Sequence, residues 1–325
     1  MGQIWRPHSD IFVDRCAMIF SHKALGLEIY QDGARMVLIG GKPHMPRLEA
    51  YYAAPFPPET MKLSFREENV LNPASFVAKL REAHLRLLVG ISRISVSLPD
   101  TVGRVVLLDL ETRFKTKEEG TDIIRWKLKK NFPFEISEMH LDYQVMLEKE
   151  TGDISVLVSL ISRQVVNQYE GLLAEAGLQP NRIDFTTFNI HRFFSSRLEQ
   201  IENAALIIWH MGILSILIFH NGMLEFYRSK ELSIDSNGAN RFFRDISSSL
   251  LFFRDKQPGY SMNEVFFVVS PDETEKMRGV IAEATGLEPV LLDAGRIVTQ
   301  KEVTSVDART LHTLAASIGA ALRNL

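Results

Sequence analysis

The amino-acid sequence predicts an α/β protein of two related lobes, each a strand meander followed by a helix and a further strand, with a small α+β unit set between them. Three observations predict it. Two meanders, at 25–53 and 206–227, share one spacing of strands and turns. Each leads through a helical apolar pattern into another strand, and internal repeats of this kind decide a fold before any motif does. The stretch between the lobes reads strand, helix, strand, strand, helix, and it is bounded by Pro99 and Pro180.

Residues 1–23 form an N-terminal extension whose short apolar run, 11–20, is interrupted by Asp14 and Arg15 and makes a poor secretion signal. The first lobe spans 24–99. Its strands are separated by a tight turn around Asp32-Gly33 and by Gly40-Gly41-Lys42. Asn72-Pro73 is a helix start, and Phe76, Leu80, His84, Leu87 and Leu88 fall on one face before a strand at 94–98. The insert spans 100–180: a strand at 105–110, a helix at 117–130, strands at 141–147 and 153–161, and a helix at 164–176. That last helix carries Val165, Tyr169, Leu172 and Leu173 on one face and stops at Gly177. The second lobe spans 181–325, with Phe243, Ile246, Leu250 and Phe253 at helical spacing, a strand at 265–269, and a closing helix expected to return to the first lobe. Laying Glu28 on His210 places Val37 on Phe219, so the meanders match in length.

With 325 residues, 46% of them hydrophobic and 24% charged, the chain has the composition of a folded globular protein. Its 37 basic and 40 acidic residues leave a formal charge of −3, which points neither to nucleic acid nor to an anionic membrane. Cys16 stands alone and is read as an inert thiol, which favours a reducing, cytoplasmic compartment. The most apolar window, 204–219, is broken by His210 and Gly212 and is too short to span a bilayer. Gly41-Lys42 is followed by Pro43 and lacks the rest of a Walker loop; no dinucleotide, serine-hydrolase or zinc-protease motif occurs. His210 and His220 are read at opposite ends of one strand, which does not make a metal site. Arg125, Lys127, Lys129 and Lys130 are read as cations complementing a helix dipole, with Ile124, Trp126 and Leu128 partly buried among them.

An insert placed after the first lobe's core, rather than between its strands, resembles the FtsA and PilM branch of the actin, sugar-kinase and Hsp70 superfamily. The run Asn131-Phe132-Pro133-Phe134-Glu135-Ile136-Ser137-Glu138-Met139-His140-Leu141-Asp142-Tyr143-Gln144-Val145 is similar to the PilM family's sequence of an aromatic, Pro-Phe, an acidic spacer and Leu-Asp-Tyr-Gln-Val. The following helix and the closing helix around 315–323 also resemble that family. The resemblance implies an actin-like fold, with ribonuclease H-like duplicated lobes. It also implies ATP and magnesium as the family's cofactors.

The family's nucleotide motifs are altered here. The first phosphate loop, where Asp-Ile-Gly is expected, reads Glu28-Ile29-Tyr30-Gln31-Asp32-Gly33; the second reads His210-Met211-Gly212; the adenosine turn reads Val269-Ser270-Pro271-Asp272. Aspartate positions magnesium and glycine lets backbone approach phosphate. Glu28, Tyr30, Asp32, Gly33, His210, Gly212 and Ser270 are therefore expected to mark a degenerate nucleotide site with no catalytic residue, no metal and no cofactor. The helical subdomain after the second meander also looks truncated at Gly238. The resemblance implies a partner as well: the cytoplasmic tail of a PilN-like inner-membrane protein, lying between the first lobe and the insert. Phe132, Glu135 and Glu138 are candidates to meet it. Pilus motor ATPases are a further implied partner class, a homo-oligomer is left open, and the membrane is expected to be met only through partners. Two alternatives stay open: an active ATPase or kinase of the superfamily, and a cytoplasmic domain like that of the type II secretion L protein.

Overall fold

The computed structural model describes residues 22–130, 132, 135–148, 152–199, 201–232, 238–300 and 305–325. The chain opens on an antiparallel meander, β1 (Ala24–Tyr30), β2 (Gly33–Lys42) and β3 (Met45–Pro55). β1 is almost wholly apolar, as a central strand covered on both faces must be. α1 (Pro73–Arg86) starts where Asn72 accepts the Ser75 N–H and proline occupies the first turn, and it buries Phe76, Val77, Leu80 and Ala83. β4 (Arg93–Leu98) then pairs in parallel with β1. Leu88 departs from the expected apolar face, because the helix has ended at Arg86; its φ is +49° and 93% of it is exposed.

The insert is a three-stranded antiparallel sheet of β5 (Gly103–Leu110), β6 (Met139–Glu148) and β7 (Ile154–Ser162), in the order β5-β7-β6. One helix, here α2 (Lys117–Lys129), covers it through Ile124 and Leu128. Residues four apart share a helix face while the residue midway points away, so Trp126 is 62% exposed instead of partly buried. α3 (Arg163–Glu175) places Val165, Val166, Tyr169 and Leu173 in the same core as Phe76 and Leu80. β8 (Gln179–Phe185) becomes the strand beside β4, so the first sheet is completed by residues that follow the insert.

α4 (Thr186–Phe193) and α5 (Ser195–Leu198) lead to the second meander: β9 (Ala204–His210), β10 (Ile213–His220) and β11 (Met223–Glu231). α6 (Gly238–Lys256) and β12 (Glu264–Val268) follow, with Phe242 buried where Phe243 was expected. α7 (Thr274–Thr285), β13 (Val290–Leu291), β14 (Thr299–Gln300), α8 (Ala308–Thr313) and α9 (Ala315–Ala321) complete the fold. The second sheet has the order β11-β10-β9-β12-β13, and β14 crosses back to pair with β3. His210 and His220 thus end different, neighbouring strands.

The repeat is real but its alignment shifts by two residues. Tyr30↔Gly33 and His210↔Ile213 close corresponding hairpins, and a bulge follows Leu38 in one meander and Ile218 in the other, so Tyr30 corresponds to His210. Matching lengths fixes spacing, whereas hairpin register fixes correspondence. Between the sheets lies a shared core of Ile190, Phe193, Ala316 and Ile318 with Val37, Ile39, Leu206 and Ile208. α9 packs on β1, β2 and β4. Glycine permits that approach, since a Cβ on Gly26 would stand 1.9 Å from the Ser317 carbonyl oxygen.

Candidate functional site

Glu28 and His210 meet between the lobes. Glu28 is 1% exposed; its Oε1 lies 2.7 Å from His210 Nε2 and its Oε2 accepts a hydrogen bond of 3.1 Å from Arg35 Nη1. Arg35 faces Glu28 because the β1–β2 register sets them directly opposite. Burial by itself would raise the Glu28 carboxyl, but the His210 and Arg35 charges and hydrogen bonds more than offset it and hold the group below its ordinary value. Arg35 also lies 4.2 Å from the centre of the Tyr30 ring and 3.7 Å from Met211 Sδ, so it reaches both hairpin loops. His312, on α8, brings its ring centre within 5.9 Å of that of His210, and burial drives its pKa down to about 3.

The remaining loop positions do structural work. Gly33 begins β2 beneath Tyr30, where a Cβ would come within 2.7 Å of the tyrosine hydroxyl. Asp32 is exposed, and its carbonyl accepts from the Phe56 N–H at 2.9 Å. Met211 and Gly212 have φ of +51° and +79°, the two left-handed residues of a tight hairpin turn. Ser270 lies in the turn after β12, and its carbonyl accepts from the Glu273 N–H at 2.9 Å at the start of α7.

A second polar centre joins the lobes at the start of α4. Asp100, 8% exposed, accepts from the Thr187 N–H at 3.2 Å and from the Tyr227 hydroxyl at 3.0 Å. Thr187 Oγ1 is 2.7 Å from Ser215 Oγ, which donates to Ser229 Oγ at 3.3 Å. Burial pushes the Asp100 pKa up to about 6, against the opposing pull of these hydrogen bonds. Sequence reading missed Arg35, Asp100, Thr187, Tyr227 and His312. Only Arg35 carried a signal, its charge opposite Glu28 across a two-residue turn.

Glu135 and Glu138 are exposed and line a groove at the junction of insert and first lobe, together with Arg66 and Arg163. The groove is therefore mixed in charge. Phe132 is half-buried and packs against the insert core, which includes Ile124 and Leu128. Cys16, Asn131, Pro133 and Phe134 lie outside the described residues. A neighbouring cavity of about 260 Å³ runs between β6 and β8, lined by His140, Asp142, Glu170, Arg182, Asp184 and Arg323. Among the described residues, each of these strands is the terminal strand of its sheet, with one edge unpaired by a strand.

Two lobes of the same topology joined through α4, with β1 and β9 hairpins facing across the join, define an actin-like fold. Among solved structures the chain is similar to the PilM-PilN type IV pilus biogenesis complex, at 18% identity and a TM-score of 0.77, over 93% of this chain and 98% of that one. It is also similar to the cytoplasmic domain of EpsL, an inner-membrane component of the type II secretion system of Vibrio cholerae, at 9% identity and a TM-score of 0.50, over 91% and 94% of the two chains. No protein-family model matches the chain. No curated protein matches it by sequence. Among the described residues, no helix is long and apolar enough to cross a membrane.

Proposed function

We propose that this chain is a docking scaffold of a type IV pilus or related envelope machine, working on the cytoplasmic side of the inner membrane and holding the tail of a PilN-like membrane protein. The observation that carries the reading is the similarity to PilM of the PilM-PilN complex over nearly the whole of both chains. The groove and cavity between insert and first lobe support it locally. An extended peptide entering there meets the free edges of β6 and β8, which offer backbone partners, while Glu135, Glu138, Arg66 and Arg163 offer charge on both signs.

The scaffold reading includes the loss of nucleotide chemistry. A magnesium-nucleotide needs free carboxylate oxygens near the phosphates, and both oxygens of Glu28 are engaged by His210 and Arg35. The residues present do not suit the family's cofactor.

Titrating a labelled N-terminal peptide of a PilN-like protein from the same genome tests the docking. Saturable binding is expected, weakened about tenfold by Phe132→Ala if this aromatic anchors the peptide. A flat titration with folded protein overturns the scaffold reading. Calorimetry with Mg-ATP tests the second part, where a micromolar site, or ATPase activity abolished by Glu28→Ala, would restore the enzyme alternative.

A further inference from the structure

The end of α1 carries an apolar projection that no contact among the described residues explains. After Arg86 the Leu87 and Leu88 N–H groups fold back onto the His84 and Leu85 carbonyls, and Leu88 then turns left-handed with φ +49°. Glycine is the usual occupant of that position, because a Cβ crowds the backbone there. A leucine takes it here and is 93% exposed, with Leu85, one turn earlier, 72% exposed. The strain gains no buried contact in return. Val89 and Ile91 are half-buried beside them, so the projection stands on a packed base.

The surroundings are cationic. Arg81, Arg86 and Arg93 are exposed, and Lys23 lies at the same end of the sheet because Leu25 of β1 pairs with Ile94 of β4. The sequence from 83 to 99 contains no aspartate or glutamate. Glu82 is engaged by Tyr52 and Lys79, and Glu175, whose carbonyl accepts from Arg81 at 2.5 Å, is an exposed acid at the margin. Two exposed leucines flanked by arginines suit an anionic headgroup layer, which accepts apolar tips and cations together.

We propose that this face docks directly on an anionic phospholipid surface, with Leu85 and Leu88 entering the headgroup boundary and the arginines pairing with lipid phosphates. Long arginine stems cover apolar surface while the guanidinium stays at the polar level. The overall charge of −3 conceals this local excess. The proposal is independent of the PilN-like groove and adds a direct membrane contact to the one made through a partner.

Sedimentation of the full chain with vesicles tests it. Binding to phosphatidylcholine vesicles containing phosphatidylglycerol is expected, with little to phosphatidylcholine alone, and salt should reverse it. Arg86→Ala and Arg93→Ala should each weaken binding about fivefold. Leu88→Gly is the decisive variant: it relieves the left-handed strain, so melting temperature holds or rises, while vesicle binding falls about tenfold. Equal binding to both vesicle types, or unchanged binding by Leu88→Gly, overturns the proposal. Retention on immobilised polyglutamate without vesicle binding would assign the face to an acidic protein and overturn it equally.

Discussion

Buried His312 and Asp100 and half-buried His191 are titratable groups whose effects on acid stability oppose one another. Burial lowers the His312 pKa to about 3 and that of His191 to about 4, against an unfolded value of about 6.5. As pH falls below that value, the unfolded chain takes up protons that the folded chain refuses, and stability drops by about 1.4 kcal/mol per pH unit for each histidine. Asp100 acts in the other sense. Its folded pKa of about 6 lies above the unfolded carboxylate, so the folded chain binds that proton first and gains stability as pH falls from 6. Below about 4.5 the carboxylates held low, Glu28 among them, begin to add their own loss. Urea denaturation between pH 6 and 4.5 should therefore show a net decline worth about one proton in the parent and a nearly flat profile in His312→Phe. An unchanged slope in the variant would show that His312 is not held neutral. Sequence reading singled out Glu28 and His210 separately, one in each meander. Their union was not legible, because 182 positions separate them and only the tertiary fold closes that distance.

Helix ends and helix contacts differed in how much the sequence disclosed. α1 was readable because Asn72, ahead of Pro73, caps it through a local hydrogen bond. The apolar face of α3 was readable too, but not its target, since Val165, Tyr169 and Leu173 require an apolar partner without specifying the first lobe's core. Glycines separate local from tertiary constraint in the same way. On Gly319 of α9 a Cβ would stand 1.8 Å from the Asn189 carbonyl oxygen of α4, whereas on Gly279 of α7 it would meet nothing within 4 Å. Gly319→Ala should accordingly destabilise the protein by about 1–3 kcal/mol or more through overpacking. Gly279→Ala should stabilise it by about 0.5–1 kcal/mol through helix propensity. Thermal melts of the two variants should move in opposite directions; a neutral Gly319→Ala would mean that α4 and α9 can separate at little cost.

The two lobes are joined by polar ties at Glu28–His210 and at Asp100–Tyr227, around the shared apolar core. Removing one partner of a buried ion pair leaves the other uncompensated, so Glu28→Ala should cost about 3–5 kcal/mol. If the tie also sets lobe closure, small-angle scattering should show a larger radius of gyration for Glu28→Ala than for the parent, and Mg-ATP should alter neither. A variant with the parent's stability and dimensions would show that the shared core alone holds the lobes. The duplication was legible because each lobe repeats the same order of three strands, a helix and a further strand. The return of β8 and β14 to the first sheet was not, since strand patterns name no neighbours.

That return sets an order of events during synthesis. β1 leaves the ribosome early, yet its neighbour β4 gains its outer strand only when residues 179–185 have been made, and its face at Gly26 is covered only by Ser317 and its neighbours. Non-local closure of this kind is slow and leaves apolar strands bare in the interim. Of the described strands, β1 is thus among the last to be sheltered, and a nascent chain halted before α9 would present the β1–β2 surface to chaperones and proteases although most of the described strands had already formed.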